Sequence, residues 1–198
     1  MKHAMIDVEA LGNHTHGLVC SIGAVWFNPL SEEMVGEPKF KVNIRFQSAL
    51  DGGAVVTGDT LRWWLEQSQE ARGALFKPPP IDETAALEAL RLWYKTTKCQ
   101  AIWSHGSNYD LRLLRHAYER RGNKPPWHYR DEMDTRTLFR VLGMVRQGEE
   151  PLWPFNTKPH DALEDAICQA VAVQSALKKL KARYEDKVEI VGHPEELG

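Results

Sequence analysis

No apolar run in the 198-residue sequence approaches the roughly 20 residues that a bilayer-spanning helix requires. The first residues enter a short strand-like segment, Lys2 to Val8, that carries Asp7 and cannot serve as the apolar stretch of a secretory signal. These absences predict no membrane partner and a cytoplasmic location, in a host cytoplasm if the gene is phage-borne. Cysteine is scarce: Cys20, Cys99 and Cys168 are far apart, odd in number and outside any Cys-x-x-Cys pattern. That excludes a disulfide framework and a structural zinc site and leaves buried free thiols as the expectation. Charge of one sign is lacking too. A formal net charge of −2 means that any nucleic acid must be gripped by a local basic patch, which favours end-binding over long-range wrapping. Metal ions at a carboxylate cluster would reverse the sign locally. Internal repeats and low-complexity segments are also missing.

An apolar fraction of 42% and a charged fraction of 26%, dispersed along the chain, fit a globular protein. The length suits one domain with a full core; we expect it to span residues 1–184, with residues 185–198 as a loosely held tail. Lys2 to Glu9 and Leu18 to Phe27 read as strands, joined by a hairpin loop over Gly12 to Gly17. Phe40 to Phe46 alternates Phe40, Val42, Ile44 and Phe46 against Lys41, Asn43 and Arg45, a third strand with one solvated face. Helical spacing follows over Thr60 to Gln67 and Pro80 to Lys95. Ala101 to Ser104 is a short strand, and Asn108 to Arg121 a helix capped by Asn108 and stopped by the Gly122 to Pro126 stretch. Trp127 to Tyr129 is expected as a last short strand, Asp134 to Leu142 as a helix, and Asp161 to Tyr184 as a long closing helix. Arg146 to Pro159 reads as a mobile loop. Strands first, then alternating helix and strand, predict an α/β fold: a mixed sheet of about five strands flanked by helices, in an order that suits an RNase H-like arrangement.

Three acidic positions stand out. Residues two apart in a strand project from one face about 6.5 to 7 Å apart, so Asp7 and Glu9 can converge on a cation. Asp-x-Glu alone also reads as two solvated carboxylates at a strand end. The pair, however, ends an otherwise apolar strand, where burying like charges is costly unless a cation compensates. Asp110 follows a strand and a Gly-containing turn, at the sheet edge where ligands bind; an acid favoured by the helix dipole is the plainer account. In His160-Asp161-Ala162-Leu163-Glu164-Asp165, Asp161 and Glu164 fit a capping box. That leaves Asp165 free to face the sheet, and His160, on a Pro-anchored loop, able to swing toward a water.

Together Asp7-Val8-Glu9, Asp110 and His160-x-Ala162-x-x-Asp165 resemble the ordered motifs of the DEDD exonuclease superfamily, in its DEDDh branch. The tyrosine branch would want Tyr-x-x-x-Asp, and position 161 is Asp. Asp59 to Arg72, with Trp63 and Trp64, and Met133 to Leu138 are similar to segments of phage and prophage 3′→5′ exonucleases and of a small actinobacterial 3′→5′ exoribonuclease family. The resemblance covers roughly residues 3 to 180.

The resemblance implies a two-metal 3′→5′ exonuclease that releases nucleoside 5′-monophosphates from single-stranded RNA or DNA with a free 3′ end, RNA slightly favoured. Two Mg²⁺ or Mn²⁺ ions are implied by hard oxygen ligands without a Cys/His cluster. One would be held by Asp7, Glu9 and Asp165, the second by Asp7 and Asp110, with His160 as general base. Ala10, Leu11 and Gly12 would stand where the 2′-hydroxyl is sensed, and Trp63, Trp64, His105 and Asn108 would contact substrate. One of the two tryptophans is expected in the core, and Asp134 is expected as a helix cap. Relatives suggest a homodimer, which the hydrophobic pattern does not by itself require. Two other readings stay open: a non-catalytic nucleic-acid-binding module on the same fold, and an unrelated metal protein using His14 and His16.

Overall fold

The structure, a computed structural model, describes residues 1–31, 35–143 and 160–191. Three antiparallel strands open the chain: β1 (His3–Ala10), β2 (Val19–Phe27) and β3 (Gly36–Asn43). Helices α1 (Phe46–Asp51), α2 (Gly58–Glu66), α3 (Gln69–Ala74) and α4 (Glu83–Thr97) follow. The chain then returns to the sheet as β4 (Ala101–Ser104), crosses by α5 (Asp110–Arg120), adds β5 (Glu132–Asp134) and closes with α6 (Thr135–Val141) and α7 (Ala162–Val191). The sheet has five strands in the order β3-β2-β1-β4-β5, with β4 parallel to both β1 and β5. This is the mixed, helix-flanked sheet expected of an RNase H-like fold.

β1 is central, and its alternation decides what each face carries. Ala4, Ile6 and Val8 pack into one core with Leu87 and Leu90 of α4 and Leu111, Leu114 and Tyr118 of α5. Met5 points the other way, into a second core with Val25, Phe27 and Trp103, which α6 covers with Phe139 and α7 with Ala166, Ala170, Val173 and Ala176. By the strand's period of two, Asp7 and Glu9 share the Met5 face and look toward α7. The small side chains of α7 let it lie close to the sheet. Gly23, opposite Asp7 in the β1–β2 register, completes the fit: a Cβ there would overlap the Ala162 carbonyl and the Leu163 amide nitrogen.

Several expected boundaries move. The third strand starts and stops earlier than expected, because Ile44 makes only a single bridge to Ile81 and Phe46 opens α1. Asn43, expected on a solvated face, is buried and donates its side-chain amide to the carbonyls of Ala74 (3.0 Å) and Pro78 (2.9 Å). Asn108 is exposed and does not cap α5, whose N-cap is Tyr109 without a side-chain bond. Trp127 to Tyr129 is not a strand. Trp127 is buried against Tyr94 and Tyr118, its indole N–H donating to Glu132 Oε1 at 3.0 Å. The fifth strand lies just beyond, over Glu132–Asp134. α7 continues past Tyr184 to Val191, so the expected tail begins inside a helix. The loop expected over Arg146 to Pro159 lies outside the described residues. The thiols of Cys20 and Cys168 are buried, that of Cys99 half-buried, and all three are free. No helix among the described residues is long and apolar enough to cross a membrane.

Candidate active site

A cleft of about 670 Å³ opens at the C-terminal end of β1. Asp7 and Glu9 reach it from the strand, Asp165 from the first turns of α7, and Asp110 from the start of α5. Carboxylate oxygens of Asp7, Glu9 and Asp165 all lie within 4.8 Å of one another. Asp110 stands outside that trio, its Oδ1 accepting from the Val8 amide at 3.4 Å. Glu9 is 8% and Asp110 4% exposed.

Burial and mutual repulsion set the charge state of this group. Burial, then the charges of Asp110, Glu9 and Asp165, hold the Asp7 carboxyl well above its ordinary range, against a lowering by the Gln169 amide. Glu9 is pushed up to about 8, by burial first and then by Asp165 and Asp110. Asp110 is raised to about 7 by burial, a rise limited by the Val8 hydrogen bond and the Arg136 charge. Carboxylates this crowded keep protons at neutral pH unless a cation joins them. Their donor set, all oxygen, suits a hard divalent ion. A second observation agrees: Gln169 donates Nε2–H to Asp7 Oδ1 at 2.8 Å, while its Oε1 is buried without a hydrogen-bond partner among the described residues. An orphaned acceptor beside a carboxylate trio suits the water shell of a bound cation.

His160 is placed by its backbone. It adopts φ 64°, in the left-handed region, and its amide donates to Asp165 Oδ2 at 3.1 Å. Asp161 starts the helix by accepting from the Leu163 amide (3.1 Å) and is clamped by Lys41 of β3 at 2.7 Å. The capping box expected with Glu164 is therefore not formed, since Asp161 accepts from the Leu163 amide instead of the Glu164 amide. The His160 ring meets Trp63 edge-to-face at 4.8 Å between centroids and Trp64 at 6.1 Å. Burial lowers its pKa, which favours the neutral imidazole. The two tryptophans divide as expected. Trp64 is 3% exposed, its indole N–H held by the Ala10 carbonyl at 2.9 Å, whereas Trp63 is 41% exposed on the cleft wall.

Of the other expected contact residues, Ala10 and His105 line the cleft, and Leu11, Gly12 and Asn108 do not. Leu11 is buried, and Gly12 is pressed against Val55 and Gly17. His105 has both ring nitrogens engaged, Nδ1 with Thr135 Oγ1 at 2.7 Å and Nε2 with Arg136 Nε–H at 3.1 Å. Asp134 caps α6, accepting from the Thr137 amide at 2.8 Å. His14 and His16 form no metal group: His14 Nδ1 accepts from the His16 amide, and the His16 ring lies against His116. Among the described residues, the one set of three or more metal-type ligands is Asp7, Glu9 and Asp165. The sequence alone does not mark Gln169, Arg136, Tyr109 and Lys41 as site residues. Two of them still carry a signal there: Gln169 stands one helical turn beyond Asp165, and Arg136 lies in the Met133 to Leu138 segment that resembles the family.

The sequence model of the 3′-5′ exoribonuclease Rv2179c-like domain matches residues 2–177. No curated protein sequence matches the chain. Among solved structures, the nuclease domain of 3′hExo, a DEDDh family member bound to rAMP, superimposes with a TM-score of 0.65 at 15% identity, over 89% of this chain and 92% of that one. E. coli exonuclease I in complex with a dT13 oligonucleotide gives 0.66 at 16% identity, over 94% of this chain but only 43% of its own. Cell-death related nuclease 4 gives 0.62 at 14% identity, over 90% and 64%. At these identities the structural likeness speaks for the shared fold.

Proposed function

Since this chain belongs to the 3′-5′ exoribonuclease Rv2179c-like domain family and is a 3′→5′ exonuclease, we propose that it removes nucleoside 5′-monophosphates from the 3′ end of single-stranded nucleic acid, RNA in preference to DNA. In this reading Asp7, Glu9, Asp110 and Asp165 hold two divalent cations, Mg²⁺ or Mn²⁺, and His160 is the general base. The observation that carries it is the convergence of Asp7, Glu9 and Asp165 oxygens within 4.8 Å, with Asp110 close enough for its charge to act on Asp7. When bound, the cations acidify water and offset charge on the phosphoryl and leaving oxygens.

The chain's own groups supply orientation and proton transfer. Asp7 and Glu9 are fixed by a central strand buried on both faces, so their separation is set by the sheet. Asp165 is held by the His160 amide, which ties the base and the carboxylate into one unit. His160, whose neutral form partial desolvation favours, can accept the proton of an attacking water. Trp63 and Trp64 shield that ring from solvent and leave the exposed face of Trp63 to support a base or sugar. The preference for RNA is supported by the family description and by the rAMP held by 3′hExo; exonuclease I, with its dT13 strand, supports DNA.

Matched RNA and DNA oligonucleotides, 5′-labelled and digested side by side with Mg²⁺, with Mn²⁺ and with EDTA, test the reading. The expected result is metal-dependent laddering from the 3′ end, faster on RNA, abolished by Asp7→Ala or Asp165→Ala in protein with wild-type circular dichroism. Full activity in either variant sinks the site assignment, and faster digestion of DNA reverses the substrate preference.

A further inference from the structure

Lys41, Gly23 and Asp7 form one row across the sheet: Lys41 stands opposite Gly23 in the β2–β3 register, and Gly23 opposite Asp7 in the β1–β2 register. Residues paired in this way project from one face, here the face that α7 covers. The gap left by Gly23 receives the start of the helix at Ala162 and Leu163, with an acidic residue on either side of it. On one side Asp165 joins Asp7 and Glu9. On the other, Asp161 Oδ2 meets Lys41 Nζ at 2.7 Å, both side chains being mostly buried. Asp161 and Asp165 are one helical turn apart, joined by the hydrogen bond from the Asp165 amide to the Asp161 carbonyl at 2.9 Å. His160 is tied to Asp165 through its own amide.

The rest of the seam explains why this end needs a fixed point. α7 meets the sheet through Ala166, Ala170, Val173 and Ala176. Side chains this short make shallow ridges, so they set the height of the helix above the sheet more firmly than its position along its own axis. Gln169 and Gln174 tie it further along, to Asp7 and to the Asn28 carbonyl; its first turn is tied to β3 by Lys41. We propose that Lys41 is a positioning residue for the reaction: by holding Asp161 it keeps the first turn of α7, and with it His160 and Asp165, in register with Asp7 and Glu9. Lys41 does not line the cleft, so it acts through Asp161 and not by touching substrate. A slip of one residue along a helix axis is about 1.5 Å, and misplacing a reacting group by roughly 1 Å can cost about a hundredfold in rate. The inference rests on the roles given to His160 and Asp165 in the proposed function.

Lys41→Met keeps most of the side chain's length and removes the charge. Asp161→Asn removes the charge at the other end of the pair and keeps an acceptor for the Leu163 amide. In steady-state digestion of a 5′-labelled RNA decamer at saturating Mg²⁺, each variant should lower kcat about tenfold to hundredfold and leave KM within about twofold. The double variant should be no slower than the slower single one, because both changes break one pair, and Lys41→Arg should recover most of the rate. Titration of the same variants with Mn²⁺ should show an affinity lower by roughly tenfold, as Asp165 leaves its place. A wild-type kcat or an unchanged Mn²⁺ affinity in Lys41→Met overturns the proposal, whatever its melting temperature, and makes Lys41 a prop of the fold. Additive losses in the double variant, or a raised KM with kcat intact, overturn it too and point to direct contact with substrate. Should Lys41→Met fail to fold, Asp161→Asn carries the same test. A wild-type protein that does not digest the decamer overturns the exonuclease reading, and the Mn²⁺ titration then decides by itself whether Lys41 places Asp165.

Discussion

Gly23 and Ala162 meet backbone to backbone: a side chain at position 23 would occupy the space of the Ala162 carbonyl and the Leu163 amide. This contact fixes how closely α7 approaches β1 and β2, and with it the distance from Asp165 to Asp7. Gly23→Ala should cost about 1–3 kcal/mol of stability by overpacking. It should lower kcat further, since roughly 1 Å of misplacement at a catalytic group can cost about a hundredfold. Urea unfolding and single-turnover rates check both effects. Wild-type values in the two measurements would show that the contact does not set the site.

Gln169 acts on the same trio through Asp7. Replacing it with Leu keeps the volume but removes the donor to Asp7 Oδ1 and the buried acceptor behind it. Partners that orient a ligating carboxylate are typically worth about 10- to 100-fold in metal affinity. Calorimetric titration of Gln169→Leu with Mn²⁺ should show that weakening, and activity should return at high metal concentration. Unchanged affinity would reduce Gln169 to a packing residue.

The carboxylates also make the metal-free protein pH-sensitive in a defined direction. Glu9 is raised from 4.5 to about 8 and Asp110 from 3.8 to about 7. Between the unfolded and folded pKa values the folded state binds more protons than the unfolded chain, so stability falls as pH rises through that window. In EDTA the melting temperature should drop between pH 6.5 and 8.5 by about 5 °C, on the order of 2 kcal/mol. Added Mg²⁺ should recover more at pH 8.5, where the carboxylates need a cation most. A metal-free melting temperature that rises with pH across this window would contradict the repulsion described for the cluster.

The sequence announces some of this architecture and hides the rest for physical reasons. β1 and β2 are legible because they are long and apolar, and Asp7 and Glu9 because two residues in a strand must share a face. Asp165 and His160 are legible from their spacing around a helix start. β5 is not, since Glu132-Met133-Asp134 is three residues with no apolar alternation and becomes a strand only by pairing with β4. Gly23 looks like a weak spot in a strand until α7 is laid on it. Lys41 and Arg136 look like ordinary surface cations. Their partners, Asp161 and His105, are brought to them by the sheet order, which no local pattern encodes.

Trp63 and Trp64 are adjacent in sequence yet should separate cleanly in experiment. Trp64→Phe removes the donor to the Ala10 carbonyl from a buried site, so it should cost about 1–3 kcal/mol of stability and change kcat little once the protein is folded. Trp63→Ala removes an exposed ring, with a small effect on stability and a larger one on turnover, because Trp63 forms the nearer aromatic wall of His160. That wall also helps to lower the imidazole pKa, which burial depresses from its ordinary 6.5. Opening it to water should raise the pKa toward that value, because desolvation penalises the charged form. The acid limb of the kcat profile, where a protonated base is inactive, should therefore move to higher pH in Trp63→Ala. Thermal unfolding and pH-rate profiles of the two variants decide the matter. A lost melting temperature in Trp63→Ala, or an unmoved acid limb, would mean that the exposed tryptophan serves the fold and not the base.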